Sequence, residues 1–304
     1  MKFKKLPVIS LLIIIGFAVL SLCACGSDSQ VTDAPVIEGE YLLPELPGDK
    51  IIGNDLVQMD VSNSSDGYVG VKYNGDDDKA KLQVKYGSDI YTYNLNNSGE
   101  YMVFPFSCGS GSYQLEVYES LLENQYVQVS AGGVDVKLAD ETSPFLYPNN
   151  YVNYNADSKV VPLAYKVTAD SDSQLGLVED VYTYVVKEID YDYDKLQNLG
   201  TGYLPDLDEV IDTHRGICFD YASLMCAMLR IRNIPTKLVV GYNGDVYHAW
   251  ISVYISDVGW VDNAIEFDGT DWTLMDPTYA ASSQRGSEAD YVKNEDQYHA
   301  LFFY

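Results

Sequence analysis

The feature that most restricts the fold is a change of hydrophobic period near the middle of the chain. In the first half, Leu82, Val84 and Tyr86 alternate with Lys81, Gln83 and Lys85. Tyr91, Tyr93 and Leu95 alternate with Thr92 and Asn94, and Tyr113, Leu115 and Val117 with Gln114 and Glu116. A period of two places each apolar set on one face of a strand. With turn signals at Asn97-Ser98-Gly99 and Gly132-Gly133, it predicts a small β-sandwich over residues 51–145. The tyrosines of these strands read as half-buried sheet residues rather than as a ligand-binding face. Pro144, Pro148 and a run of asparagines then mark a boundary over residues 140–157. Beyond it the period becomes helical. Val178, Val181, Tyr182, Val185 and Ile189 fall at i, i+3, i+4, i+7 and i+11, which predicts an amphipathic helix over 174–189. A second helix is expected over about 217–232, with Cys218, Ala222, Met225, Cys226 and Leu229 on one face and Asn233 and Pro235 at its end. Strand patterns follow at 236–242, 246–254, 259–263 and 271–275. Helices followed by consecutive strands on short turns predict an α+β domain with an antiparallel sheet over residues 158–304.

Residues 1–24 read as a leader. Lys2, Lys4 and Lys5 precede an apolar stretch from Leu6 to Leu22, the pattern of a secretory signal. The following Leu22-Cys23-Ala24-Cys25-Gly26 resembles a bacterial lipoprotein signal. That resemblance implies cleavage before Cys25, lipid on its sulfur, and a protein anchored in a bacterial cell membrane on the extracytoplasmic side. A plain membrane anchor needs roughly 20 apolar residues, for which this run is marginal. Residues 25–50, acidic and polar with Pro35, Pro44 and Pro47, read as a tether. Removing the leader's three lysines takes the formal net charge from −26 to −29. Such a charge excludes nucleic acid as a natural partner and, spread along the chain, reads as a solvated cell-surface protein.

Three cysteines remain besides Cys23 and Cys25: Cys108, Cys218 and Cys226. An odd number cannot form a complete intramolecular disulfide framework. Cys218 and Cys226 are eight residues apart on one predicted helix, about 12 Å at 1.5 Å per residue, which is too far for a bridge. A Cys218–Cys108 bond stays open. Cys226 reads as a core residue. Cys218 stands where a helix begins, and unpaired N–H groups and the positive end of the helix dipole favour thiolate there. Gly216, just before it, permits close approach to the backbone. A nucleophilic cysteine needs a base and a group that orients the base. His248 lies in the strand "VYHAWISVY", and Asp276 in "WTLMDPTYA", where Pro277 ends the strand. Singly, each residue reads as structural: a half-buried strand histidine and a turn aspartate.

The ordered set "GICFDYASLMCAMLRIRNIPTKLVVGY", "YHAWISVY", "GW" and "WTLMDPTYA" resembles the transglutaminase-like superfamily over about residues 160–280. The family pattern places Cys218, His248 and Asp276 at its three catalytic positions. It implies a papain-like site, with the cysteine helix packed on an antiparallel sheet, and acyl transfer through a thioester without metal or cofactor. Ile217 and Phe219 replace the Gln and Trp more usual in cross-linking members, and Asn233 replaces a glycine. The first two departures weaken protein cross-linking as the specific reaction, and the third is mild, since asparagine tolerates the left-handed conformation of a helix end. The expectation is a lipid-anchored cysteine-dependent acyltransferase, amidohydrolase or peptidase acting on a protein, peptide or cell-wall peptide. The alternative is a non-catalytic surface-binding or scaffold lipoprotein that keeps the fold. Several other residues read as structural. His214 and Arg215 look like an exposed loop pair, Trp250 and Trp260 like packing residues, and His299 like part of a packed segment. Asp76 to Asp78 suggest a solvated hairpin tip. The "DYDYD" of Asp190 to Asp194 lacks the later glycine and glutamate of a calcium loop.

Overall fold

Eight strands occupy the first half of the computed structural model, which describes residues 34–122, 125–256, 258–262, 266–267, 272–273 and 298–304. They are β1 (Ile51–Gly53), β2 (Val57–Asp60), β3 (Tyr68–Tyr73), β4 (Lys81–Tyr86), β5 (Asp89–Asn94), β6 (Tyr101–Pro105), β7 (Gly111–Leu122) and β8 (Gln125–Val136). Two four-stranded antiparallel sheets result, ordered β1-β2-β3-β6 and β5-β4-β7-β8. The alternation decides which faces meet. Leu82, Val84, Leu115 and Val117 of one sheet share a core with Val57, Met59, Val69 and Val71 of the other. The Tyr93 and Phe104 rings, 4.7 Å apart, join the two sheets. Tyr91, Tyr93 and Tyr113 are buried, so these tyrosines fill the interior.

Of the stretch expected to be a tether, residues 34–50 lie against the body. Ala34 is buried, and its carbonyl accepts from the Gln174 amide at 2.8 Å. Val36, Tyr41 and Leu43 pack on the core. These apolar side chains interrupt an otherwise acidic run and give it a reason to adhere. Residues 1–24, expected to be a leader, and Cys25 lie outside the described residues.

The second half begins with helices α1 (Val160–Val167) and α2 (Gln174–Glu188). Ser173 caps α2 by accepting from the Gly176 amide at 3.1 Å. Then come β9 (Asp190–Tyr191), α3 (Tyr193–Gln197), α4 (Leu207–Thr213), β10 (Arg215–Gly216) and α5 (Cys218–Ile231). Strands β11 (Thr236–Asn243), β12 (Val246–Ile255) and β13 (Gly259–Asp262) follow, with the short pair β14 (Glu266–Phe267) and β15 (Trp272–Thr273), and then β16 (Tyr298–Phe303). The main sheet is antiparallel, ordered β13-β12-β11-β16. The α+β architecture expected from the sequence is therefore present.

Helix α5 is the hub. From Asp220 to Ile231 every residue is buried, and the helix packs against α1, α2, β11 and β12. Asn233 ends it in the left-handed conformation, at φ 60°, which asparagine tolerates better than most residues. Its side chain donates to the Gly39 carbonyl at 3.3 Å. Gly241 on β11 is required by contact, because a Cβ there would lie 2.0 Å from the His299 carbonyl oxygen and 2.9 Å from the Trp250 ring. One hydrophobic cluster runs through both halves. Arg230, fully buried, ties three segments together by donating to the carbonyls of Tyr147, Thr236 and Tyr304.

Candidate active site

Cys218 is the first residue of α5 and is half-buried. Ile217, before it, is extended at φ −100° and ψ 178°, so its N–H falls outside the helical ladder. The Asp220 carboxylate accepts that N–H at 2.9 Å, one arm of a capping box. This geometry supplies a second reason for Gly216: a Cβ there would stand 2.8 Å from the Asp220 Cβ. Asp220 is fully buried and shares its charge. Tyr203 donates to it at 2.5 Å, and Lys195 Nζ lies 3.2 Å away and 2.9 Å from the Tyr203 hydroxyl. A buried carboxylate is tolerated only with such partners. The triad of Lys195, Tyr203 and Asp220 fixes the start of α5 from below.

The two-residue strands set the other side. β9 runs parallel to β10, with Asp190 opposite Arg215 and Tyr191 opposite Gly216. The Asp192 amide donates to the Gly216 carbonyl at 2.9 Å, and the Asp190 amide to the His214 carbonyl at 2.8 Å. This ladder brings Tyr191 next to Cys218, whose thiol and backbone both act on the phenol. Burial, followed by the neighbouring Cys218, pushes the phenol's pKa up, so Tyr191 holds its proton at neutral pH. Around the thiol the surface is aromatic. The Phe219 ring lies 5.6 Å from Tyr151 and 6.4 Å from Tyr203, and Tyr191 lies 5.0 Å from Tyr193.

His248 is half-buried on β12, opposite Gly241 of β11, with its ring stacked 6.2 Å from Trp250. Cys218 and His248 thus stand on α5 and β12, which pack on each other. Asp276 lies outside the described residues. Cys108, Cys218 and Cys226 are all free thiols, which closes the Cys218–Cys108 alternative in this fold. Cys226 is buried, and desolvation pushes its thiol up to about 12.

The remaining candidates have structural roles. His214 is exposed, ends α4 with φ 53°, and bonds through Nδ1 to the Glu188 carbonyl at 3.1 Å. Arg215 pairs with Asp192 at 3.1 Å and Asp194 at 3.6 Å. Asp192 also caps α3 through the Lys195 amide at 2.9 Å. Trp250 is buried, and His299 is paired through β16 with Tyr242. No group of three or more metal-ligating side chains is gathered among the described residues. Tyr191, Tyr203 and Lys195 escaped the sequence reading because each meets the start of α5 from 15 or more residues away, with no local motif to mark it.

The model of the transglutaminase-like superfamily matches residues 161–277. YebA, an uncharacterised protein of Bacillus subtilis, is 25% identical over 181 residues, which is 51% of this chain and 23% of YebA. A protein-glutamine gamma-glutamyltransferase of Pseudomonas aeruginosa is 28% identical over 92 residues, 26% of this chain and 12% of that enzyme. The chain therefore spans less than a quarter of the length of either relative. Among solved structures, a candidate cysteine protease from Cytophaga hutchinsonii aligns with a TM-score of 0.40 at 15% identity, covering 84% of this chain and 82% of the other. Residues 161–277 of this chain form a transglutaminase-like superfamily domain.

Proposed function

We propose that the protein is a lipid-anchored extracytoplasmic enzyme that carries out cysteine-dependent acyl transfer or hydrolysis on a carboxamide or peptide carbonyl. The observation that carries this reading is Cys218 at the first turn of α5, half-buried beside a backbone amide and a protonated phenol. In the proposed reaction His248 takes the Cys218 proton and the sulfur attacks the carbonyl carbon. The carbonyl oxygen becomes an oxyanion at the Cys218 amide, next to the Tyr191 phenol. The Cys218 amide and the Tyr191 hydroxyl are then its two donors. His248 returns the proton to the leaving amine as the C–N bond breaks, Asp276 holds the imidazole, and water or an amine resolves the thioester. The name of the Pseudomonas relative supports a glutamine side chain as one substrate to try first. Cys25, lipidated after removal of the leader, would hold the enzyme at the membrane surface, where protein and wall peptides are within reach.

The test is the rate of Cys218 alkylation against pH, measured with and without His248→Ala. An activated pair reacts fast well below the ordinary cysteine pKa of roughly 8.5, and the His248→Ala chain reverts to an ordinary thiol profile. Equal profiles would refute the pairing and favour the binding-protein alternative. In the same cells, fatty-acid label enters the parent chain and not the Cys25→Ser chain.

A further inference from the structure

Two exposed apolar surfaces adjoin Cys218, and the proposed chemistry gives neither of them a task. The first continues from Tyr191. The Tyr193 ring, 5.0 Å from it, is 53% exposed, and Leu196, three residues further along α3, is exposed on the same face. Leu199 follows just past the helix and is exposed as well. The second surface continues from Phe219, whose ring lies 5.6 Å from Tyr151. Burial first, and then the Tyr247 phenol, push Tyr151 up to about 12, so Tyr247 stands close to the ring that packs on Phe219. Tyr247 precedes His248 on β12, is 58% exposed, and meets the exposed Tyr242 of β11 at 5.5 Å.

The chain carries a formal net charge of −26, yet the charges that reach these rings are already paired: Arg215 with Asp192 and Asp194, and Lys195 with Asp220. What is left to a partner there is apolar and aromatic. Apolar patches kept in water mark binding surfaces, and tyrosine is among the residues that anchor such contacts. Whatever covers these two surfaces must also bring a carbonyl carbon to the sulfur between them. A polypeptide meets both demands, because its backbone or a glutamine side chain supplies the carbonyl and its neighbouring side chains supply the apolar cover. We propose that the acyl donor is an extended peptide segment with a bulky apolar side chain on each side of the reacting residue. One of these side chains rests on Tyr193 and Leu196, and the other on Phe219 and Tyr247. The inference rests on the reaction proposed for Cys218 and names the class of substrate that the reaction takes.

The experiment compares two reagents on one thiol. Iodoacetamide and its N-benzyl analogue are reacted with the full chain, and modification of Cys218 is followed by peptide mass spectrometry. Glutathione in the same buffer supplies the intrinsic ratio of the two rates. The ratio at Cys218, benzyl over plain reagent, should exceed that of glutathione about tenfold, the effect of one aromatic contact. Tyr247→Thr or Tyr193→Gln should lower it several-fold, and both side chains are exposed, so their loss leaves the core intact. In a second arm, acetyl-Phe-Gln-Leu amide should protect Cys218 from iodoacetamide at about tenfold lower concentration than acetyl-Ser-Gln-Ser amide. Loss of the expected His248 dependence would refute the thiol chemistry and leave this ratio standing, whereas a ratio like that of glutathione, with His248 dependence intact, refutes the surfaces alone. A ratio that survives both substitutions, equal protection by the two peptides, or a Cys218 that neither reagent reaches also overturns the proposal. So does protection by phosphatidylcholine vesicles in place of the peptide, which would assign the surfaces to a bilayer, and protection that rises with protein concentration alone, which would assign them to a second copy of the chain.

Discussion

A single neighbour bears on the chemistry proposed for Cys218: the Tyr191 phenol beside it. Replacing Tyr191 by Phe keeps the ring and its packing on Tyr193 and Tyr221 but removes one donor from the proposed oxyanion site. The turnover number should fall about 100-fold, with the alkylation profile of Cys218 little changed. A fall in alkylation equal to the fall in turnover would instead place Tyr191 in thiol activation. The sequence made Cys218 legible because glycine, cysteine and an apolar helix stripe are adjacent. It left Tyr191 hidden inside "DYDYD", where its acidic neighbours drew attention to cations. That run instead serves Arg215 and the cap of α3. The proposed role of Gly216 was likewise read from its freedom to admit a substrate, whereas contact with Asp220 already demands a glycine.

At the scale of elements, the start of α5 is held by the buried group of Asp220, Tyr203 and Lys195. Asp220→Ala deletes an acceptor shared by three donors and leaves the Lys195 ammonium, whose side chain is only 17% exposed, without its carboxylate. The expected loss of stability is about 3 kcal/mol, as for breaking one partner out of a buried charged group. Denaturant unfolding measures it. Adding Lys195→Met should return part of the loss, and strict additivity of the two changes would show that the group does not act as a unit. Helices and strands were largely readable in the sequence, since period two and period 3.6 leave different marks in residues 81–95 and 178–189. The adhesion of residues 34–50 was less readable. Three apolar side chains in an acidic run carry little pattern, and only the finished surface shows what they cover.

For the molecule as a whole, the aromatic interior decides its response to alkali. The chain has 27 tyrosines, and many of the buried ones cannot ionise without leaving the core. Burial pushes Tyr147 and Tyr151 up to about 12, Tyr91, Tyr113 and Tyr304 higher still, and Tyr93 well above its ordinary value. In the unfolded chain all of them ionise near the ordinary value of about 10. A raised folded pKa means that stability is fully present below that value and is lost as pH climbs through 10 toward 12 and beyond. Unfolding midpoints should therefore fall steeply above pH 10, and tyrosinate absorbance should rise in one cooperative step. A smooth rise, spread over the range of free tyrosine, would contradict this burial. The sheet that holds His248 has a different kind of dependence. Its fourth strand, β16, comes from residues 298–303 and pairs with β11, some sixty residues earlier in the chain. A chain emerging from the ribosome amino end first thus carries a bare β11 edge until residue 303 is free, and open edges recruit other strands. Synthesis itself acts as a timer: the thiol at the head of α5 meets a finished sheet only after those late residues are made.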